Sequence, residues 1–191
     1  MLRLKGRMGW YRFFSLVLGI LLLAGGTGGM LAVPALAAGS VDVLYEGPVT
    51  LTPGQSFTVK AYNSGAEYTV AADTPLGALQ AAGKAGGFSY NVTDKNYAAS
   101  GALLLDDVGK YTRDNPGRWY AYVNDVYKDG FNNPAGALNL IKVAAGDRVE
   151  FYYAADVADP ADLAAVKAAA TAAVKTVVAV AGGADVVTGA T

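Results

Sequence analysis

Asp106 and Asp107 are the residues of this chain that most resemble a catalytic pair. Glycoside hydrolysis needs two carboxyl groups placed around one bond. Neighbours on a strand point to opposite faces, so these two would not converge on one substrate. Asp125, Asp129, Asn132 and Asn133 collect oxygen donors in a single stretch, and oxygen donors are what calcium takes. Their spacing lacks the EF-hand order and its terminal glutamate, so a solvated turn is the expectation and no metal is assigned. The sequence holds no histidine and no cysteine. That inventory removes the commonest general base, thiolate nucleophiles, Cys/His zinc sites and Ser-His-Asp triads together. The chain therefore reads as non-enzymatic, with a hydrolase as the remotest alternative.

What remains is aromatic. Arg118 to Asp125 (RWYAYVND) is an aromatic strand running into a turn. Amphipathic rings anchor binding sites, and they are also favoured in strands. Strand alternation sends Trp119, Ala121 and Val123 one way and Tyr120, Tyr122 and Asn124 the other. On that phase Trp119 is expected in the core, with Tyr120, Tyr122 and Tyr127 at the surface. Trp119, Tyr120, Tyr122, Asn124, Tyr127 and Phe131 are the candidate contact strip for a flat or sugar-like ligand. The loops around residues 111–117 and 124–136 would present it.

The elements that must position this strip follow from the flanking pattern. Val41, Val43 and Tyr45 alternate with polar residues and predict a first strand, interrupted at Gly47-Pro48 and resumed over 49–52. Phe57, Val59 and Ala61 alternate again, so 49–52 and 57–61 read as a hairpin across Pro53-Gly54. A short strand at 68–70 leads to a helix. Asp73 or Thr74 can cap it, Pro75 suits its first position, and Gly86-Gly87 ends it. Leu76, Leu79 and Ala82 give it a narrow apolar stripe. Phe88, Tyr90 and Val92 form a further strand that carries the sequon Asn91-Val92-Thr93, a possible glycosylation site at Asn91. Leu103 to Leu105 reads as a central strand buried on both faces. Arg148 to Tyr153 reads as the last strand. One helix among about six strands predicts an α+β fold, a mixed sheet with the helix packed on one face, β-grasp-like in outline.

The ends read differently. Arg3, Lys5, Arg7 and Arg12 precede an apolar run from Phe13 to Ala24, and Ala35-Leu36-Ala37 is a small-x-small site, so residues 1–37 are expected to be a signal peptide. An uncleaved anchor is the alternative, because no charge falls between Arg12 and Asp42 and such a span crosses a bilayer of about 30 Å. Residues 41–155 are the expected domain. Residues 156–191 are expected to be a linker, an alanine-rich helix from Ala161 to about Val180, and a flexible tail. Lys167 and Lys175 interrupt that helix and argue against a membrane span. Four of the 15 basic residues and none of the 16 acidic ones lie within 1–37, leaving a net charge of −5 on the rest. That balance disfavours nucleic acid and anionic membranes as partners and suits a secreted or cell-surface protein.

Three stretches resemble the transcobalamin-like C-terminal domain family, a β-grasp-like module of exported bacterial and archaeal proteins with no assigned function. They are Thr74-Pro75-Leu76-Gly77-Ala78-Leu79, Trp119 to Asn124, and Ala144 to Tyr153. The resemblance spans residues 41–155 and departs at Asp125, where the family usually has glycine. It implies a β-grasp-like fold in a cell-envelope or secreted protein, acting as a binding or structural module. It also implies a corrinoid such as cobalamin as an alternative ligand, although the helical domain that completes that site in vitamin carriers has no counterpart here.

Overall fold

The computed structural model describes residues 40–129 and 136–181. The expected leader at 1–37, most of the expected tail, Phe131, Asn132 and Asn133 lie outside the described residues.

Nine strands and three helices are described. In chain order they are β1 (Asp42–Leu51), β2 (Ser56–Lys60), β3 (Glu67–Ala71), α1 (Pro75–Gly86), β4 (Tyr90–Thr93) and α2 (Tyr97–Ser100). Then come β5 (Leu104–Val108), β6 (Arg118–Val123), β7 (Val126–Lys128), β8 (Arg148–Ala154), α3 (Leu163–Ala169) and β9 (Ala170–Val180). The main sheet has the order β1-β9-β8-β6-β7. β1 and β9 run parallel, and the other neighbours are antiparallel, so the α+β class and the mixed sheet stand as expected. Two ribbons, β2–β3 and β4–β5, complete the strands and are joined by a single bridge between Ala61 and Val92.

The helix α1 forms where its sequence places it. Thr74 is extended and its Oγ1 accepts from the Gly77 N–H at 3.1 Å, with Pro75 inside the first turn. Gly87 closes it in the left-handed region at φ 71°. Leu76 and Leu79 are fully buried, each worth about 1.5–3 kcal/mol on removal from water. Gly77 is required for packing rather than flexibility: a Cβ there would stand 2.0 Å from the Ala72 carbonyl oxygen. The helix lies on one face of the sheet, over Val49, Val149, Phe151, Val174 and Val178.

The largest correction concerns the alanine-rich segment. It is helical only over Leu163–Ala169 and then becomes β9, which pairs with β1 and β8 inside the main sheet. A stripe at 163, 166, 170, 174 and 177 fits a helical period, but Val174, Thr176 and Val178 are buried at strand period, with Lys175, Val177 and Ala179 on the other phase. β-branched residues favour the extended chain once two open edges await it. Residues 161–180 are therefore not one separate helix. Among the described residues no helix is long and apolar enough to cross a membrane.

The hairpin runs between β2 and β3, not between 49–52 and 57–61, because β1 is taken by β9. β1 also continues through Gly47-Pro48, which it can do as an edge strand. Leu104 and Leu105 sit half-buried in the outlying strand β5 rather than in a central one.

Candidate functional site

The strand β6 carries aromatic residues to both faces of the sheet, and the two faces fare differently from expectation. Tyr120 and Tyr122 are fully buried, together with Tyr152, Val166, Ala170 and Ala173. The cover is the chain's own return path from β8 through α3. Tyr122 donates to the Pro160 carbonyl at 2.7 Å, and the Val157 N–H donates to the Tyr120 hydroxyl at 2.9 Å. Arg118 reinforces this face, with Nε donating to the Tyr120 hydroxyl at 2.8 Å and Nη2 standing 3.2 Å from Asp156. Burial pushes the Tyr122 phenol up to about 12. The expected surface placement of Tyr120 and Tyr122 is thus corrected: the layer that hides them comes from the segment expected to be a linker and a separate helix. Tyr127 is half-buried, its ring 5.7 Å from that of Tyr122.

Trp119 lies on the α1 face but is half-buried rather than sealed. Its indole N–H donates to the Tyr111 carbonyl at 3.0 Å, and its ring stands 5.4 Å from Tyr153 and 6.2 Å from Tyr111. Those contacts fix the ring beside a cleft of about 250 Å³. Leu103, Leu105 and Leu138 supply its apolar wall, while Asp106, Arg113, Arg118, Lys128 and Asp129 supply charge. Arg113 is already engaged, 3.3 Å from Asp106 and stacked 4.2 Å above the Tyr62 ring. Asp106 also accepts from the Tyr62 hydroxyl at 2.7 Å, and burial, then the neighbouring Asp107 charge, raises its pKa. Of the aromatic strip, Trp119 and Tyr127 line this cleft, Tyr120 and Tyr122 lie in the buried cluster, and Phe131 falls outside the described residues.

Lys128 joins the cleft without any signal in the strand pattern. The register pairs it with Ala121, two positions from Trp119, and directly paired residues share a face. Asn124 and Asp125 produce that register. Both have positive φ, 51° and 66°, and between Val123 and Val126 they form a two-residue turn of the I′ kind. An asparagine followed by a small polar residue is the available signal, and it ends the aromatic strand in a hairpin rather than a long loop. Asn124 is a structural tie here. Its Nδ2 donates to Asp147 at 2.8 Å and its Oδ1 accepts from the Arg148 N–H at 2.9 Å. Asp125 pairs with the Arg148 guanidinium.

The two neighbouring carboxylates part as alternation requires. Asp107 accepts from Asn91 Nδ2 at 3.0 Å and from the Arg113 N–H at 2.9 Å, while Asp106 turns to Tyr62 and the Arg113 side chain. Among the described residues no group of three or more acidic side chains is placed to hold a metal ion. No family model matches the chain, and neither a curated protein nor a solved structure does.

Proposed function

We propose that the chain is a non-enzymatic exported module of a secreted or cell-envelope protein, β-grasp-like and related to the transcobalamin-like C-terminal domains, which binds a partner through the edge of the sheet at Trp119. The observation that carries this reading is the half-buried indole, hydrogen-bonded and ring-packed in place beside a cleft lined by leucines and by charged residues, Lys128 among them. Fixed aromatic groups of this sort are the anchors of protein interfaces. The parallel pairing of β1 with β9, with α1 across one face of the sheet, supports the β-grasp-like outline.

A cleft of about 250 Å³ is smaller than the pockets of about 300–1,000 Å³ that enclose ordinary ligands, which favours a partner's side chain over an enclosed corrinoid. Trp119 is the sole tryptophan after residue 37, so its fluorescence reports on this site alone. Cell-envelope material that sediments the protein is expected to shield Trp119 from acrylamide quenching, and cobalamin at high micromolar concentration to leave its emission unchanged. Sedimentation with Trp119 still freely quenched would overturn the placement of the site. Saturable quenching by cobalamin would restore the corrinoid alternative. Secreted material is expected to begin near Ala38, which N-terminal sequencing reads directly.

A further inference from the structure

A second groove, of about 450 Å³, lies between the C-terminal half of α1 and the strands β2 and β4. Its lining contains two lysines, Lys60 and Lys84, and no carboxylate. That is uncommon on a body whose charge after residue 37 is −5. Neither lysine makes an ion pair among the described residues. Glu67 is the cross-strand neighbour of Lys60 yet comes within no ion-pair distance, and Asp107 is occupied by Asn91 Nδ2 at 3.0 Å. Lys84 stands in the last turn of α1, where it also offsets the negative helix end.

The rest of the lining is suited to hydroxyl groups. Thr58 and Ser89 offer hydroxyls, Gln80 offers a whole side-chain amide, and Asn91 keeps its amide oxygen. Phe88 and Tyr90 supply two rings for the apolar face of a sugar. The Tyr90 phenolic oxygen is buried and makes no hydrogen bond among the described residues, a cost that native structures usually avoid. The groove's volume lies within the range of ordinary ligand sites, about 300–1,000 Å³.

We propose that this groove binds a small polyhydroxylated anion of the sugar-acid type. Its carboxylate sits between Lys60 and Lys84, its hydroxyls meet Thr58 and Gln80, and its ring lies against Phe88 and Tyr90. The site is separate from the Trp119 cleft and shares no residue with it.

The test is titration of the full-length protein with glucuronate, glucose and glucosamine, read by calorimetry and by amide chemical shifts. Glucuronate is expected to bind most tightly and glucosamine least, with shifts at Thr58, Gln80, Ser89 and Tyr90. Lys60→Gln and Lys84→Gln are exposed changes that should leave the thermal transition in place. Each is expected to weaken glucuronate binding about two- to fivefold, the value of one exposed charge contact. Equal binding of glucose and glucuronate would overturn the proposal. So would glucuronate binding that both variants leave intact, or an absence of shifts at tens of millimolar glucuronate.

Discussion

Asn124 shows how a residue chosen for binding by its sequence context can belong to the scaffold. Its left-handed backbone is one that asparagine tolerates better than most residues, and both ends of its amide are spent on Asp147 and Arg148. Asn124→Ala removes two hydrogen bonds and leaves a strained φ, so a loss of about 1–2 kcal/mol is expected from urea unfolding. A variant as stable as the parent would mean that the turn is held by the Val123–Val126 pairing alone. The same distinction separates the tyrosines from the tryptophan. Alternation correctly assigned Tyr120 and Tyr122 to one face and Trp119 to the other, because that is a property of the strand itself. Which face meets water is a property of whatever packs there, and for Tyr120 and Tyr122 the cover comes from residues 155–169.

At the scale of elements, α1 was legible to the residue because its signals are local: a cap, a proline, a three-residue stripe and a left-handed glycine. β6 and β8 were legible for the same reason. β9 was not. Alanine and lysine carry its first half toward a helix, and only the long-range vacancy between β1 and β8 makes the strand favourable. The β2–β3 hairpin and the buried tyrosine face are hidden in the sequence for the same reason, since both depend on what β1 and α3 pack against. Of the candidate site, Trp119 and Tyr127 were found, while Lys128 waited on a hairpin register. A truncation decides the role of β9 directly. Residues 38–181 are expected to melt cooperatively, and residues 38–156 to lose the transition in circular dichroism. Without β9, β1 has no strand partner in the sheet and Val174 and Val178 leave the core. A cooperative melt of the shorter chain would show that the sheet closes by another route.

For the molecule as a whole, acid and base act through different groups. Hydrogen bonds from Lys110 and Tyr111 hold Asp42 below its ordinary value, those from Ser64, Tyr68 and Asn63 hold Asp94 low, and those from the Ala144 N–H and Asn124 hold Asp147 low. Depressed carboxylates contribute stability above their ordinary pKa and lose it as pH falls through the native value. Asp106, raised by burial, opposes this: its contribution is present at low pH and fades as pH rises through its native pKa. On the alkaline side, the hydrogen bond to Asp94 lifts Tyr68 to about 12 and burial lifts Tyr122 to about 12. Their contribution is complete below pH 10 and is lost as pH climbs toward 12. With no histidine present, the urea midpoint is expected to be level between about pH 6 and 9 and to fall on both sides. A step inside that plateau would contradict the assignment. One last consequence comes from the parallel pairing of β1 with β9, in which Glu46 meets Lys175 across 129 positions. A ribosome delivers β1 well before its neighbour β9, at about 5–20 residues per second. For some ten seconds, on the order set by that rate, β1 waits without its neighbour in the sheet. Until β9 emerges, the sheet lacks the strand that joins β1 to β8.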